Sequence, residues 1–179
     1  MRDWRSEVLR FWFALHEQKW WAVDAELDDE IRRRFLKLWS RKRELPPSSF
    51  LGDALTALAG VILFDQLPRN MFRAHADQYS TDPLAMEISR AAVDRGLDDQ
   101  LETKDERAFL YMPFQHSEDL QDQRRALALF TALGDDYLLG FAKKHHDVIA
   151  RFGRFPHRNA ILGRAPRADE KSAGDVVPW

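Results

Sequence analysis

Residues 54–73 of the chain read ALTALAGVILFDQLPRNMFR, and this stretch decides the fold. Its apolar residues recur at the spacing of an α-helix, with one stripe formed by Leu55, Leu58, Ala59, Ile62 and Leu63. Val61 and Phe64 make the opposite side apolar as well. Because a helix that is apolar nearly all round is usually central in a domain, we predict that this helix is buried and that Pro68 ends it.

The same spacing extends through the chain on both sides of this stretch. It predicts further helices over six ranges: 3–15, 28–43, 81–96, 104–111, 117–134 and 135–152. No convincing stretch alternates with the two-residue period of a strand. About seven helices with short connections favour antiparallel neighbours, so the sequence predicts an all-α fold of helical hairpins stacked side by side.

The domain boundary is expected where the apolar periodicity is lost. We predict a single all-helical domain over residues 1–163 and a polar C-terminal tail over residues 164–179. The closing residues Val176, Val177 and Trp179 leave open whether this tail docks.

The composition excludes several classes of protein. Charged residues make up 31% of the chain in mixed sign, with a formal net charge of -2, which disfavours nucleic-acid binding. The chain has no cysteine, so disulfides, zinc–thiolate sites and thiol nucleophiles are excluded. No run approaches the roughly 20 apolar residues that span a bilayer, and the N-terminal residues do not resemble a signal peptide. We therefore expect a soluble, cytoplasmic protein without membrane or nucleic-acid partners.

The first polar cluster follows the apolar helix and contains Asp65, Arg69, Asn70 and Arg73. Asp65 and Arg69 are four residues apart, a spacing at which opposite charges meet on a helix. One interpretation is structural, because Arg and Asn commonly satisfy the carbonyls at a helix end. The other is that the cluster faces a ligand, since an acid at the end of an apolar helix is locally unfavourable.

The second polar cluster contains Arg154, His157, Arg158 and Asn159. Several potential cations within so few residues repel one another unless a carboxylate or a bound anion lies among them. Arg is well suited to bidentate recognition of carboxylate or phosphate. An internal carboxylate network and a bound anionic ligand are both compatible with this pattern.

The third polar cluster is His116, Ser117 and Glu118. Ser117 followed by acidic residues is an ordinary helix start, whereas His116 has no such explanation. His116, Glu118, His145 and His157 lack the paired spacing of a known metal motif, so we predict neither a metal nor another cofactor.

Several longer motifs resemble those of the bacterial family called domain of unknown function 924. They are FWF at 11–13, FDQLPRNMFR at 64–73, YMPFQHSE at 111–118, DQ at 122–123, RFGRFPHRN at 151–159 and LGR at 162–164. The resemblance covers nearly the whole chain and implies an all-helical, tetratricopeptide-like fold. It implies no established activity. The chain departs from the family pattern after residue 164, where Arg167-Ala168-Asp169-Glu170 replaces the usual Ser/Thr-Pro-Glu-Glu.

These patterns lead to three functional hypotheses. The first is a pocket that binds a small anionic or carboxylate-bearing molecule through Arg69, Arg73, Arg154 and Arg158. Its other ligand-binding candidates are Asp65, Asn70, His116, His157 and Asn159. The second is a hydrolase-type enzyme with acid–base candidates Asp65, His116, Glu118 and His157. The third is a helical scaffold that binds a peptide. Whether a reaction is catalysed and which oligomeric state the protein adopts stay open.

Overall fold

The computed structural model describes residues 3–179, and these residues form helices without any strand. The α-helices are α1 Trp4–Phe13, α2 Glu17–Trp21, α3 Ala25–Lys42, α4 Ala54–Val61, α5 Leu67–Met71, α6 Asp82–Asp94, α7 Lys104–His116, α8 Leu120–Leu133, α9 Asp136–Phe152 and α10 Ala168–Ala173. Within this described range, seven of them have eight residues or more. The all-helical class and the approximate helix number are confirmed, while the tetratricopeptide likeness stays a prediction.

The chain divides into two compact units, Met1–Leu110 and Tyr111–Trp179. In the N-terminal unit, α4 packs against α1 and α6, and α3 packs against α5. Every residue from position 57 to position 64 is buried, as expected for the central helix. Leu55 is the exception to the predicted stripe, because half of its surface remains exposed.

Pro68 does not end the central helix, so this prediction was wrong. The chain continues through a π-helical turn, Ile62–Gln66, directly into α5, with Pro68 in its first turn. A proline within a helix leaves the carbonyl four residues earlier without its usual donor. Here that carbonyl belongs to Phe64, and the Thr81 hydroxyl donates to it at 2.7 Å. The tertiary hydrogen bond and the wider π turn together accommodate the proline.

Thr81 is therefore expected to contribute to stability through its hydroxyl, which also accepts from Trp39 Nε1 at 3.2 Å. Thr81→Val retains the shape of the side chain but leaves two buried polar groups unsatisfied. We expect it to lower the free energy of unfolding by about 1–3 kcal/mol. Urea unfolding followed by tryptophan fluorescence measures this change. The matched control is Thr131→Val, because Thr131 is exposed and bonds only within its own helix; equal losses in both variants would contradict the role of Thr81.

In the C-terminal unit, α8 and α9 form a helical hairpin. Both helices end close to the predicted positions, at glycines with positive φ, Gly134 at 72° and Gly153 at 69°. Two predicted boundaries in this unit were wrong, as was the predicted start of α3 at residue 28, since α3 begins at Ala25 after the N-cap Asp24. Helix α7 passes through Pro113 and ends at His116, and the N-cap of α8 is Asp119 rather than Ser117.

The segment after Gly163, expected as a polar tail, includes helix α10. The buried side chain of Glu170 connects this helix to the rest of the C-terminal unit. Val176 packs against the core formed by Val148, Ile149, Phe152 and Phe155. Over residues 3–179, none of the helices combines the length and apolar character needed to cross a membrane.

Candidate functional site

In the N-terminal unit, Arg69 lies between two carboxylates. Its guanidinium makes a bidentate ion pair with Asp82, with N–O distances of 2.9 and 3.0 Å. It also donates to the backbone carbonyl of Asp65 and approaches the Asp65 carboxylate at 3.5 Å. Burial acts to lower the pKa of Arg69, but the charges of Asp65 and Asp82 more than offset it and raise that pKa. The predicted Asp65–Arg69 pair therefore exists, and Asp65 is fully buried.

Asn70 and Arg73 converge on Asp28, near the start of α3. The Asn70 amide donates to Asp28 Oδ1 at 2.8 Å, and Arg73 donates to both carboxylate oxygens at 2.6 and 2.9 Å. The hydrogen bond with Asp28 is the main cause of the raised pKa of Arg73. This geometry connects α5 and the residues after it to α3, which supports the structural interpretation of both side chains.

In the C-terminal unit, Arg154 and Asn159 both bind Glu170. Arg154 is bidentate at 2.6 and 2.9 Å, and the Asn159 amide donates to Glu170 Oε2 at 3.0 Å. The backbone N–H of Arg167 donates to the same oxygen at 2.7 Å. These bonds, led by that from Arg154, lower the pKa of Glu170 to about 2. Glu170 is thus the internal carboxylate that the second cluster required.

Glu118 joins the turn after α7 to the segment after α9. Its carboxylate accepts two hydrogen bonds from Arg164, at 2.7 and 3.0 Å, and one from the backbone N–H of Phe155 at 2.7 Å. Burial acts to raise the pKa of Glu118, but the bonds from Arg164 and Phe155 outweigh it and hold that pKa below its usual value. Glu118 is therefore ionised at neutral pH and does not have the raised pKa of a general acid.

A row of five rings extends across the C-terminal unit, and we call it the ring row: His116, His145, Phe155, His157 and Trp179. Successive ring centroids are 6.2, 5.7, 5.6 and 4.9 Å apart. The Arg158 guanidinium lies over the central Phe155 ring at 4.6 Å and donates to the backbone carbonyl of His116 at 3.0 Å. The ring row thus gathers His116, His157 and Arg158 from the second and third predicted clusters.

His145, within the ring row, is a neutral imidazole of fixed tautomer. Its Nδ1 lies 2.8 Å from the carbonyl oxygen of Phe141. Because that oxygen only accepts, Nδ1 carries the proton and Nε2 carries the lone pair. Burial is the main cause that lowers the pKa of His145 to about 3, and the neighbouring His116, Arg158 and His157 add to the effect.

The low pKa of His145 predicts a pH-dependent stability. The unfolded chain protonates this imidazole near its ordinary pKa of about 6.5, whereas the folded chain does so only at about 3. Protons therefore favour the unfolded state below pH 6.5, at up to about 1.4 kcal/mol per pH unit. We expect His145→Gln to remove this slope between about pH 6.5 and pH 5, measured by urea unfolding at each pH with NMR signals of the C-terminal unit. An unchanged slope, or an NMR titration of His145 near its ordinary pKa, would contradict the burial argument.

The predicted site residues divide between the two units. Asp65, Arg69, Asn70 and Arg73 belong to the N-terminal unit, and the remaining candidates belong to the C-terminal unit. The candidate residues therefore form two groups, one in each unit. Among residues 3–179, no group of three or more His, Asp or Glu side chains is arranged to hold a metal.

Sequence reasoning missed the carboxylates that bind the motif arginines. Asp28 lies 45 residues from Arg73, and Asp82 lies 13 residues from Arg69, so the local sequence gives no signal for either pair. Glu170 did have a detectable signal. It follows the N-cap residue Arg167 by three residues and accepts from its backbone N–H, as the Glu of a capping box does, although Arg167 is not the Ser or Thr of that motif.

The comparisons with known proteins agree with the all-helical fold. Residues 8–173 match the family model described as bacterial protein of unknown function (DUF924). A solved structure of a protein of unknown function from Agrobacterium tumefaciens is similar at 38% sequence identity and a TM-score of 0.86, over 94% of this chain and 95% of that one. No curated protein matches the chain. Because the family model covers most of its length, the chain belongs to the bacterial DUF924 family of proteins of unknown function.

Proposed function

We propose that the protein binds a small anionic or carboxylate-bearing molecule at the ring row of the C-terminal unit. The observation that carries this proposal is the gathering of the His145 and His157 rings and the Arg158 guanidinium around the Phe155 ring, with His116 next to His145. The guanidinium carries a fixed positive charge, and the imidazole rings can supply further hydrogen-bond donors to an anion.

The other motif arginines support the proposal less well, because each makes a close ion pair with a carboxylate of its own unit. Arg69 binds Asp82, Arg73 binds Asp28 and Arg154 binds Glu170. An external anion would have to compete with these short, bidentate contacts. We therefore assign these three arginines to stability. The proposal instead places the anion beside Arg158 and His157, next to the Phe155 ring.

A thermal-shift titration with phosphate and acetate, each compared with sodium chloride at equal ionic strength, tests this function. A ligand that binds only the folded state stabilises it by an amount that grows with its concentration, about 2.7 kcal/mol at 100 times its Kd. We expect His157→Gln and Arg158→Lys to weaken binding about tenfold, since each removes a directional donor. The exposed Arg151→Gln should leave binding unchanged. Equal shifts in all four proteins, or shifts no larger than those with chloride, would contradict the site.

The two alternative functions differ in their support. The hydrolase alternative has less support at two of its acid–base candidates, because Asp65 is fully buried and the Glu118 carboxylate is held by Arg164 and the backbone of Phe155. A groove of about 660 Å³ in the N-terminal unit is the feature that supports the peptide-binding alternative. This groove is lined by Leu15, Lys19, Glu26, Leu27, Asp29, Glu30, Arg32 and Arg33. Its largely charged lining makes it less typical of a ligand pocket, which usually has an apolar surface.

A further inference from the structure

The groove of about 660 Å³ in the N-terminal unit lies along the first half of α3. Its apolar surface comes from Leu15, which precedes α2, and from the buried Leu27. The rest of its lining consists of three acidic and three basic side chains. Because a charge that loses its contact with water needs a partner, a ligand in this groove has to match the charges that are not already paired.

Four of the six charged side chains that line the groove have an ion-pair partner within the N-terminal unit. The pairs are Asp29–Arg32, Glu30–Arg34 and Lys19–Asp24, with N–O distances of 2.6, 3.3 and 3.1 Å. The remaining two are the exposed side chains of Glu26 and Arg33. Among residues 3–179, the Glu26 carboxylate has no cationic partner, and the Arg33 guanidinium donates only to the backbone carbonyl of Asp29, at 3.4 Å. One negative and one positive group of the groove are thus left for a ligand.

Glu26 and Arg33 lie on the same face of α3. Seven residues make almost two turns of an α-helix, which brings the two side chains to within about 20° of each other around the axis. The rise of about 1.5 Å per residue separates them by about 10.5 Å along the axis. An extended peptide spans up to about 3.5 Å per residue, so a chain of three residues covers this distance.

We propose that this groove is a binding site for short peptides with free termini, about three residues long. The α-ammonium group of the peptide binds the Glu26 carboxylate, and its α-carboxylate binds the Arg33 guanidinium, which is suited to bidentate contact with a carboxylate. The middle of the peptide packs on Leu15 and Leu27. This inference does not rest on the proposed anion site, because the groove and the ring row belong to different units.

The alternative explanation is that Glu26 and Arg33 are ordinary solvated charges of an exposed helix face. Lys37, one turn beyond Arg33, is a charge of that kind, since it is exposed and does not line the groove. Glu26 and Arg33 differ from it because both line the groove together with two leucines. They also carry opposite charges at the separation of the two ends of a tripeptide. Lys37 is therefore the matched control for both residues.

Trialanine and its end-blocked forms test this inference, namely the N-acetyl form, the amide and the form with both ends blocked. An NMR titration of the isotope-labelled full chain measures each Kd from the backbone signals of the groove residues. We expect blocking either end to weaken binding about fivefold, which is the contribution of an exposed ion pair. Dialanine is about 3.5 Å shorter and should bind as weakly as trialanine with one end blocked, because it reaches only one of the two charges.

Two variants assign the two ends of the peptide. Glu26→Gln should make binding insensitive to N-acetylation, and Arg33→Gln should make it insensitive to amidation, while each variant still responds to blocking of the other end. Lys37→Gln should leave both responses unchanged. Circular dichroism of each variant verifies that its helices are retained.

Three results would overturn this inference. They are equal binding of trialanine and its doubly blocked form, an end-blocking effect that survives in the matching variant, and trialanine that leaves the signals of the groove residues unchanged. None of them bears on the anion site of the C-terminal unit, which is tested separately with phosphate and acetate.

Discussion

Replacing Arg69 by leucine is expected to lower the free energy of unfolding of the N-terminal unit by about 3–5 kcal/mol. The substitution retains much of the apolar volume but removes the cation between Asp65 and Asp82. Asp65 is fully buried, so its carboxylate would lose the ion pair with Arg69 in a medium of low dielectric. Urea unfolding followed by tryptophan fluorescence is a suitable measurement, because Trp179 is the only tryptophan outside the N-terminal unit.

The control for this prediction is Arg34→Leu. Arg34 forms an exposed ion pair with Glu30 at 3.3 Å, and such pairs contribute at most about 1 kcal/mol. If Arg69→Leu destabilises the protein no more than Arg34→Leu does, the buried ion pair is not a major source of stability.

Replacing Asp28 by alanine is expected to cost about 2–4 kcal/mol. Asp28 is buried and accepts hydrogen bonds from both Asn70 and Arg73, so its loss leaves two donors without their acceptor. The expected value is below that for Arg69 because the Arg73 side chain is 36% exposed and can be partly solvated.

The adjacent residue supplies the control for Asp28. Asp29 is exposed and pairs with Arg32 on the surface of the same helix, so Asp29→Ala is expected to change stability by less than about 1 kcal/mol. Both variants are measured by the same fluorescence-monitored unfolding. Similar losses would mean that the contact between α3 and the residues after Pro68 contributes little.

The fold class could be predicted from periodicity because helix spacing is a local property of the sequence. The helix ends at Gly134 and Gly153 were also predictable, since termination of a helix at a glycine with positive φ depends only on the local sequence. The continuation of two helices through Pro68 and Pro113 was not predictable from the local sequence. Proline normally interrupts a helix, and at Pro68 the interruption is avoided through a hydrogen bond from Thr81, which is distant in sequence.

The candidate site was predictable only in part, because local motifs do not show contacts between residues that are distant in sequence. The motifs correctly identified arginines that need a negative partner, but not which partner each would find. Asp28 is 45 residues from Arg73, and nothing in the local sequence connects them. For Trp179 the sequence leaves open only whether the C-terminal segment docks. Its contact with His157 depends on the path of the chain after α10, which periodicity does not describe.

The π-helical turn at Ile62–Gln66 determines the direction, around the helix axis, in which the later side chains of the same helix point. In an α-helix each residue advances by about 100° around the axis, so removing one residue from this turn would rotate the next segment by that angle. Arg69, Asn70 and Arg73 would then point in new directions, away from Asp82 and Asp28. A single-residue deletion there would be more damaging than most substitutions, because it would misalign all of these contacts at once.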